Sequence, residues 1–203
     1  MRRAAAAALA LCLVAAAGCA ERREDEGGQG GEPAAEERDG EGERPAREAP
    51  LPAVTAEGLG GLDAGARVDR AALARSFPGA RVSGRGARYQ VARGGEALFT
   101  VTRADDGALS SVRVVSRAVP SELGARVGDT YEALARAAGP LDCNGGLEER
   151  AREILCTPRR TPNVTFHFRV DDDRLAGDDI EPARQGRALA GRRVAEILWT
   201  PPR

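Results

Sequence analysis

Between residues 88 and 116 the chain alternates apolar and polar positions in three short runs. These are RYQVAR (88–93), EALFTVTR (96–103) and ALSSVRVVS (108–116), divided by Gly94-Gly95 and by Asp105-Asp106-Gly107. A period of two sends successive side chains to opposite faces of a strand, and glycine-bearing breaks supply turns, so the pattern predicts an antiparallel meander. NVTFHFRV (163–170) alternates most cleanly, with Val164, Phe166, Phe168 and Val170 on one side and Thr165, His167 and Arg169 on the other. RVAEILWT (193–200) predicts a last strand before Pro201-Pro202. Helical spacing replaces the alternation in two places. VDRAALARSF (68–77) opens on Asp69, a good N-cap, sets Ala72, Leu73 and Phe77 close to one face, and stops at Phe77-Pro78-Gly79. VGDTYEALARAAGP (127–140) has Asp129 three residues before Glu132, a capping-box-like start, and ends at Gly139-Pro140. LEERAREIL (147–155) fits two patterns: Leu147, Ala151, Ile154 and Leu155 share a helical face, while Ile154-Leu155-Cys156 fits a strand start. The expected fold class is α+β, mainly antiparallel β in a meander or sandwich-like arrangement, with two or three short helices. GARVDRAALAR (65–75) and GARVGDTYEALAR (124–136) echo one another; alanine-arginine bias is the favoured explanation, a duplicated β-turn-α unit the other.

The first fifty residues follow neither period. Arg2 and Arg3 precede the uncharged run AAAAALALCLVAAAG (4–18). That run is shorter than the ~20 residues a helix needs to span hydrocarbon. A positive start, a short apolar stretch and small residues at its end describe a secretory signal peptide. Its last residues, AAGC (16–19), resemble the end of bacterial lipoprotein signal peptides, in which the cysteine is acylated and becomes the new N-terminus. The resemblance implies lipidation at Cys19 and attachment to the membrane through the lipid anchor. Ala20, where aspartate would retain an enteric lipoprotein, favours the outer membrane, with the protein facing the periplasm. Residues 20–50 hold eleven acids and five arginines, with no aromatic and no β-branched residue. Such a segment lacks the apolar surface to offset the entropy of ordering and is expected to be a disordered tether. The expected organisation is signal peptide 1–18, lipidated Cys19 with an acidic tether to 50, and one β-rich domain over 51–203.

That domain carries 20 acids and 23 arginines, after 11 of the 31 acids and 7 of the 30 arginines are assigned upstream. The balance is too even to imply nucleic acid, and export argues against it as well. Every basic residue is arginine, which fits a GC-rich coding bias. Seven aromatics in the whole chain leave Leu, Val and Ala to fill most of the core and offer no aromatic platform for sugars. Past Cys19 only Cys143 and Cys156 remain. In an exported protein such a pair reads first as a disulfide. Zinc held with His167 and Asp142 is the sharper alternative, although no C-x-x-C or H-x-x-x-H spacing supports it.

No motif organises catalysis. His167 is the only histidine and is expected to be an exposed strand residue, and no serine lies in a G-x-S-x-G elbow. DDD (171–173) with Asp178, Asp179 and Glu181 offers oxygens to calcium, but Leu175 and Ala176 break the EF-hand pattern, and a solvated acidic turn is expected. Arg184, Arg187, Arg192 and Arg193, with Arg159 and Arg160, are read as a solvated basic face. GLGGLDAG (58–65) has Asp63 where a dinucleotide fingerprint needs its third glycine. No cofactor and no metal site is expected.

Taken in order, GLGGLDAG, FPGARV (77–82), VGDTYEAL (127–134), Cys143 with Glu148 and Cys156, VTFHF (164–168) and VAEILWTP (194–201) resemble a family of Gram-negative outer-membrane lipoproteins. Its enteric members are under envelope-stress sigma-factor control, and its function is not established. The resemblance implies a β-rich α+β or sandwich-like domain, a Cys143–Cys156 pairing and strand rather than helix near 153–157. It carries no catalytic residues. The acidic tether and residues 171–193 depart from it. The function expected is non-enzymatic: a binding or structural role in the cell envelope with an envelope protein as partner. An inhibitor of an attacking hydrolase such as lysozyme is the alternative, and a cell-wall hydrolase using acids from 171–181 the more distant one.

Overall fold

The protein is described from a computed structural model, over residues 50–171, 180 and 182–202. Cys19, the apolar leader and the acidic segment to residue 49 lie outside the described residues, as do Asp172, Asp173, Asp178, Asp179 and Glu181. A small hairpin comes first, β1 (Gly58–Leu59) and β2 (Leu62–Asp63). Its two turn residues, Gly60 and Gly61, have φ of 57° and 83°. Two positive φ values in a two-residue turn are those of type I′, which is why this glycine-rich stretch makes a hairpin and no phosphate loop. Helix α1 (Arg70–Ser76) leads into strands β3 (Arg81–Arg85), β4 (Arg88–Arg93), β5 (Glu96–Arg103) and β6 (Leu109–Val114). Helix α2 (Tyr131–Ala138) leads into β7 (Leu141–Gly145), β8 (Glu153–Pro158), β9 (Val164–Arg169) and, after α3 (Pro182–Leu189), β10 (Val194–Trp199).

The eight long strands form one antiparallel sheet in the order β3-β4-β5-β6-β10-β9-β8-β7. The order is that of two four-strand meanders joined through their last strands, each introduced by a helix. The two echoing segments, 65–75 and 124–136, run into α1 and α2 and so occupy equivalent places in a repeated helix-plus-meander unit. Compositional bias, the favoured reading, is not needed to explain them, and the unit is larger than the β-turn-α alternative.

Register explains the core. Val82, Val91, Phe99, Val114, Ile197, Phe166, Cys156 and Cys143 are successive cross-strand partners, a single row crossing all eight strands. A second row runs Tyr89, Val101, Val112, Trp199, Val164. Partners directly across a ladder share a face, so these rows make one apolar side. The helices cover it. Phe77, at the end of α1, sets its ring edge-on to Phe99 with centroids 4.8 Å apart, and Tyr131 of α2 meets Phe168 at 5.9 Å. All four phenylalanines and Trp199 are buried to 1% exposure or less, so the scarce aromatics are concentrated where each contributes about 1.5–3 kcal/mol. The Trp199 indole N–H donates to the Ala56 carbonyl at 3.0 Å, which pins the N-terminal strap over the sheet's central seam.

Helix ends follow the sequence in part. Asp69 caps α1, accepting from the Ala72 N–H at 2.7 Å. Thr130, not Asp129, caps α2, accepting from the Ala133 N–H. Asp129 lies one residue outside the helix, accepting from the Arg126 N–H and pairing with Arg117 at 3.0 Å. Glu132 accepts from the Gly191 N–H. At the other end of α2, Arg160 donates to the carbonyls of Ala137 and Ala138, where a cation meets the helix's negative pole. Residues 147–155 form no long helix: a 3-10 turn, Glu148–Arg150, precedes strand β8. Among the described residues no helix is long and apolar enough to cross a membrane.

Candidate functional site

The face of the sheet opposite the core carries mostly polar cross-strand partners, with Leu155 and Leu198 among them. Thr100 opposes Arg113 and Thr102 opposes Ser111 on β5 and β6, while Glu196 opposes His167 and Leu198 opposes Thr165 on β10 and β9. His167 therefore lies on the side that its alternation predicts, yet it is fully buried. The expectation of an exposed histidine fails because of the β7–β8 connection. In the first meander the equivalent connection, β3 to β4, is a tight hairpin closed by the Arg85–Arg88 pair. In the second, residues 146–152 fold back over the open face and lay Arg150 on the imidazole. The fold-back needs Gly146, where a Cβ would fall 2.1 Å from the Arg150 carbonyl oxygen. It also holds Glu148 at a φ of 50°, a left-handed backbone that costs a side-chain-bearing residue energy.

Three charged side chains face the ring, and a fourth, Arg113, pairs with one of them. Arg150 Nη1 lies 2.8 Å from His167 Nδ1. Glu153 Oε2 lies 3.2 Å and Glu196 Oε1 3.1 Å from the same Nδ1. Arg150 Nη1 stands 3.6 Å from each of those carboxylate oxygens. Arg113 Nη1 donates to the other oxygen of Glu196 at 3.1 Å. Two arginines balance two glutamates beside the imidazole. Burial holds its pKa below the ordinary histidine value, the charge of Glu196 and the hydrogen bond to Glu153 oppose that, and Arg150 adds to it.

The valences do not close. Nδ1 has one position for a proton or a lone pair, and three neighbours compete for it. Accepting from Arg150 turns a bare nitrogen toward two carboxylates; donating to one of them turns its proton toward a guanidinium. Glu196 Oε1 is buried and makes no hydrogen bond.

The other sequence candidates lie apart from this cluster. Cys143 and Cys156 form a disulfide between registered partners of β7 and β8 on the apolar face, S–S 2.06 Å. Zinc held by these cysteines with His167 and Asp142 is excluded, because the thiols are joined and His167 points to the opposite face. Asp142 pairs instead with Arg159 at 3.1 Å. Asp171 is exposed and pairs with Arg192 at 2.8 Å. Arg193 donates to the Gly128 carbonyl, while Arg184 and Arg187 are exposed, so the basic residues of the sequence serve separate contacts. Sequence reasoning missed Arg150, Glu153 and Glu196 as partners of His167. They come from a loop and from two strands flanking that of His167, and only register brings them together.

These features define a class of protein: an α+β domain of two helix-plus-meander halves on one sheet, with a buried histidine among partly exposed charges on the second half's face opposite the core. Residues 51–200 match the family described as a protein of unknown function (DUF1131), and the chain belongs to that family. The crystal structure of the uncharacterized protein yfeY from Escherichia coli is similar to this chain in fold. It has a TM-score of 0.54 at 19% identity, over 73% of this chain and 99% of that one. No curated protein matches the sequence.

Proposed function

We propose that the chain is a lipid-anchored protein of the bacterial envelope, held to the outer membrane through Cys19 and facing the periplasm, whose domain binds another envelope protein without catalysing a reaction. The observation that carries this reading is the seam at AAGC (16–19), where an uncharged run ends at a cysteine followed by a thirty-one-residue segment with eleven acids and no aromatic or β-branched residue. A single acyl chain binds membranes marginally, so several chains on one cysteine make the attachment stable. The acidic segment, at an r.m.s. reach on the order of 30 Å, spaces the domain from an anionic surface. The broad polar face of an eight-stranded sheet then presents a surface suited to a folded partner.

The test is expression of the full chain in a Gram-negative host fed a clickable palmitate analogue, beside Cys19→Ser. The wild-type chain is expected to take the label and fractionate with the outer membrane, and Cys19→Ser to lose both. Label retained by Cys19→Ser, or a soluble unlabelled wild-type chain, sinks the anchor. Crosslinking from the native envelope then addresses the binding role: one saturable protein partner supports it, and recovery of wall fragments with measurable turnover favours a hydrolase.

A further inference from the structure

Several features of the His167 cluster are unexplained by stability. Holding two carboxylates that are only 14% and 24% exposed against a fully buried imidazole is costly, and largely buried ion pairs commonly contribute no more than apolar residues of similar volume. The first meander builds the same β5–β6 geometry with Thr100, Thr102 and Ser111 and has no carboxylate or imidazole among these pairs. The fold thus does not require the cluster. It is instead assembled by a longer loop with one residue in a left-handed conformation.

The distances fit a coordination site. A tetrahedral ion at about 2.0–2.2 Å from nitrogen and oxygen ligands separates those ligands by roughly 3.3–3.6 Å. Here Nδ1 stands 3.2 Å from Glu153 Oε2 and 3.1 Å from Glu196 Oε1, with the three ligand atoms all within 4.8 Å of one another. Arg150 Nη1, at 2.8, 3.6 and 3.6 Å from the same three atoms, holds the place of the cation. We propose that Glu153, His167 and Glu196 form a binding site for a divalent first-row transition ion, with Arg150 as a resident cation that the ion displaces. An ion there resolves the competition at Nδ1, because one lone pair then faces one positive centre, and it satisfies Glu196 Oε1. Arg150 has room to leave: its side chain is 31% exposed, on a turn whose Leu147 faces solvent. A nitrogen ligand beside two carboxylates suits zinc, manganese or iron and disfavours calcium and magnesium, which take oxygen alone. The site is independent of the lipid anchor and of any protein partner.

The experiment uses the full chain carrying Cys12→Ser and Cys19→Ser, so that no free thiol competes, titrated with Zn2+ by calorimetry and with Co2+ by visible absorption. The wild-type site is expected to saturate at one ion per chain. Arg150→Met, which keeps the aliphatic stem and removes the charge, is expected to bind about tenfold tighter or more, since a like charge no longer occupies the site. Glu196→Gln and His167→Gln each remove a ligand and are expected to weaken binding beyond the ~10–100-fold typical of an outer-shell change. The Co2+ spectrum should show intense low-coordination bands that His167→Gln abolishes, and excess Mg2+ should not compete. If neither the wild-type nor a folded Arg150→Met chain, checked by circular dichroism, binds Zn2+ saturably, the site is a structural ion network and the proposal fails. It fails equally if binding is indifferent to Glu196→Gln.

Discussion

Breaking the Cys143–Cys156 bond tests how the second meander is held at its outer end. The two residues are separated by 13 positions, so the bond closes a short loop in the unfolded chain. The chain-entropy treatment assigns such a loop about 3 kcal/mol at 25 °C, acting through the denatured state. For a domain of this size each kcal/mol moves the midpoint by about 2–4 °C, so the melting temperature should fall by roughly 6–12 °C. The loss should also be local. β7 is the last strand of the sheet; its ladder partner is β8, and on the other side the Ile180 N–H donates to the Cys143 carbonyl. Urea denaturation with and without reductant, read by tryptophan fluorescence, measures the first effect. Amide exchange across 141–145 measures the second. Cys143→Ala with Cys156→Ala serves as control, with some further loss because both side chains are buried. Identical midpoints for oxidised and reduced protein, or Cys143 and Cys156 reacting as thiols in the native oxidised protein, would refute the reasoning.

Trp199→Phe keeps an aromatic ring in the central row but removes the indole donor to Ala56 and leaves a partial void. It should cost about 2–3 kcal/mol by chemical denaturation, and a change under 1 kcal/mol would show that the strap is held elsewhere. Tyr131 gives an alkaline prediction. Burial, and then the charge of Glu132, raise its pKa above 10.0 in the folded protein. Above that pH the unfolded chain loses the proton first, the folded state binds more protons, and stability declines as pH rises; below it the contribution is fully present. The decline in unfolding free energy past pH 10 should be shallower in Tyr131→Phe, and equal slopes would remove Tyr131 from the account.

The strands with clean alternation were legible because one of their faces is packed. β4, β5, β6, β9 and β10 fall where the apolar-polar period places them, and Gly139-Pro140 ends α2 as expected. β3 and β7 were not legible. As outer strands they contain Arg81, Ser83, Gly84 and Arg85, or Asp142, Asn144 and Gly145, residues that suit an exposed sheet edge and carry little hydrophobic signal. Residues 147–155 have helical apolar spacing, but tertiary packing overrides it: Ile154 and Cys156 turn into the core, which requires a strand, while Leu147 is left 69% exposed. The cluster was the least legible feature. Alternation assigned His167 to the correct face, but burial depended on a loop fold-back set by Gly146 and on the register of three strands.

The disulfide and the charged cluster lie on opposite faces of the sheet, and the strand β8 joins them. Cys156 faces the core; Glu153, three residues earlier, faces the open side and His167. The bond fixes β7 to β8 at the Cys143–Cys156 pair, and the ladder runs on to Gly145–Ile154, where the loop bearing Arg150 departs. A loop whose base is covalently closed has fewer positions for its tip, so Arg150 is delivered to the imidazole with less ordering to lose. The first meander, with a tight hairpin at this place, has no such staple, and it lends the cluster only Arg113 of β6, which pairs with Glu196. Staple, long loop and cluster thus form one added assembly on the second copy of a repeated unit. It follows that reduction of the disulfide should loosen the hold of Arg150 on His167 as well as the sheet edge, linking the redox state of the inner face to access at the outer one.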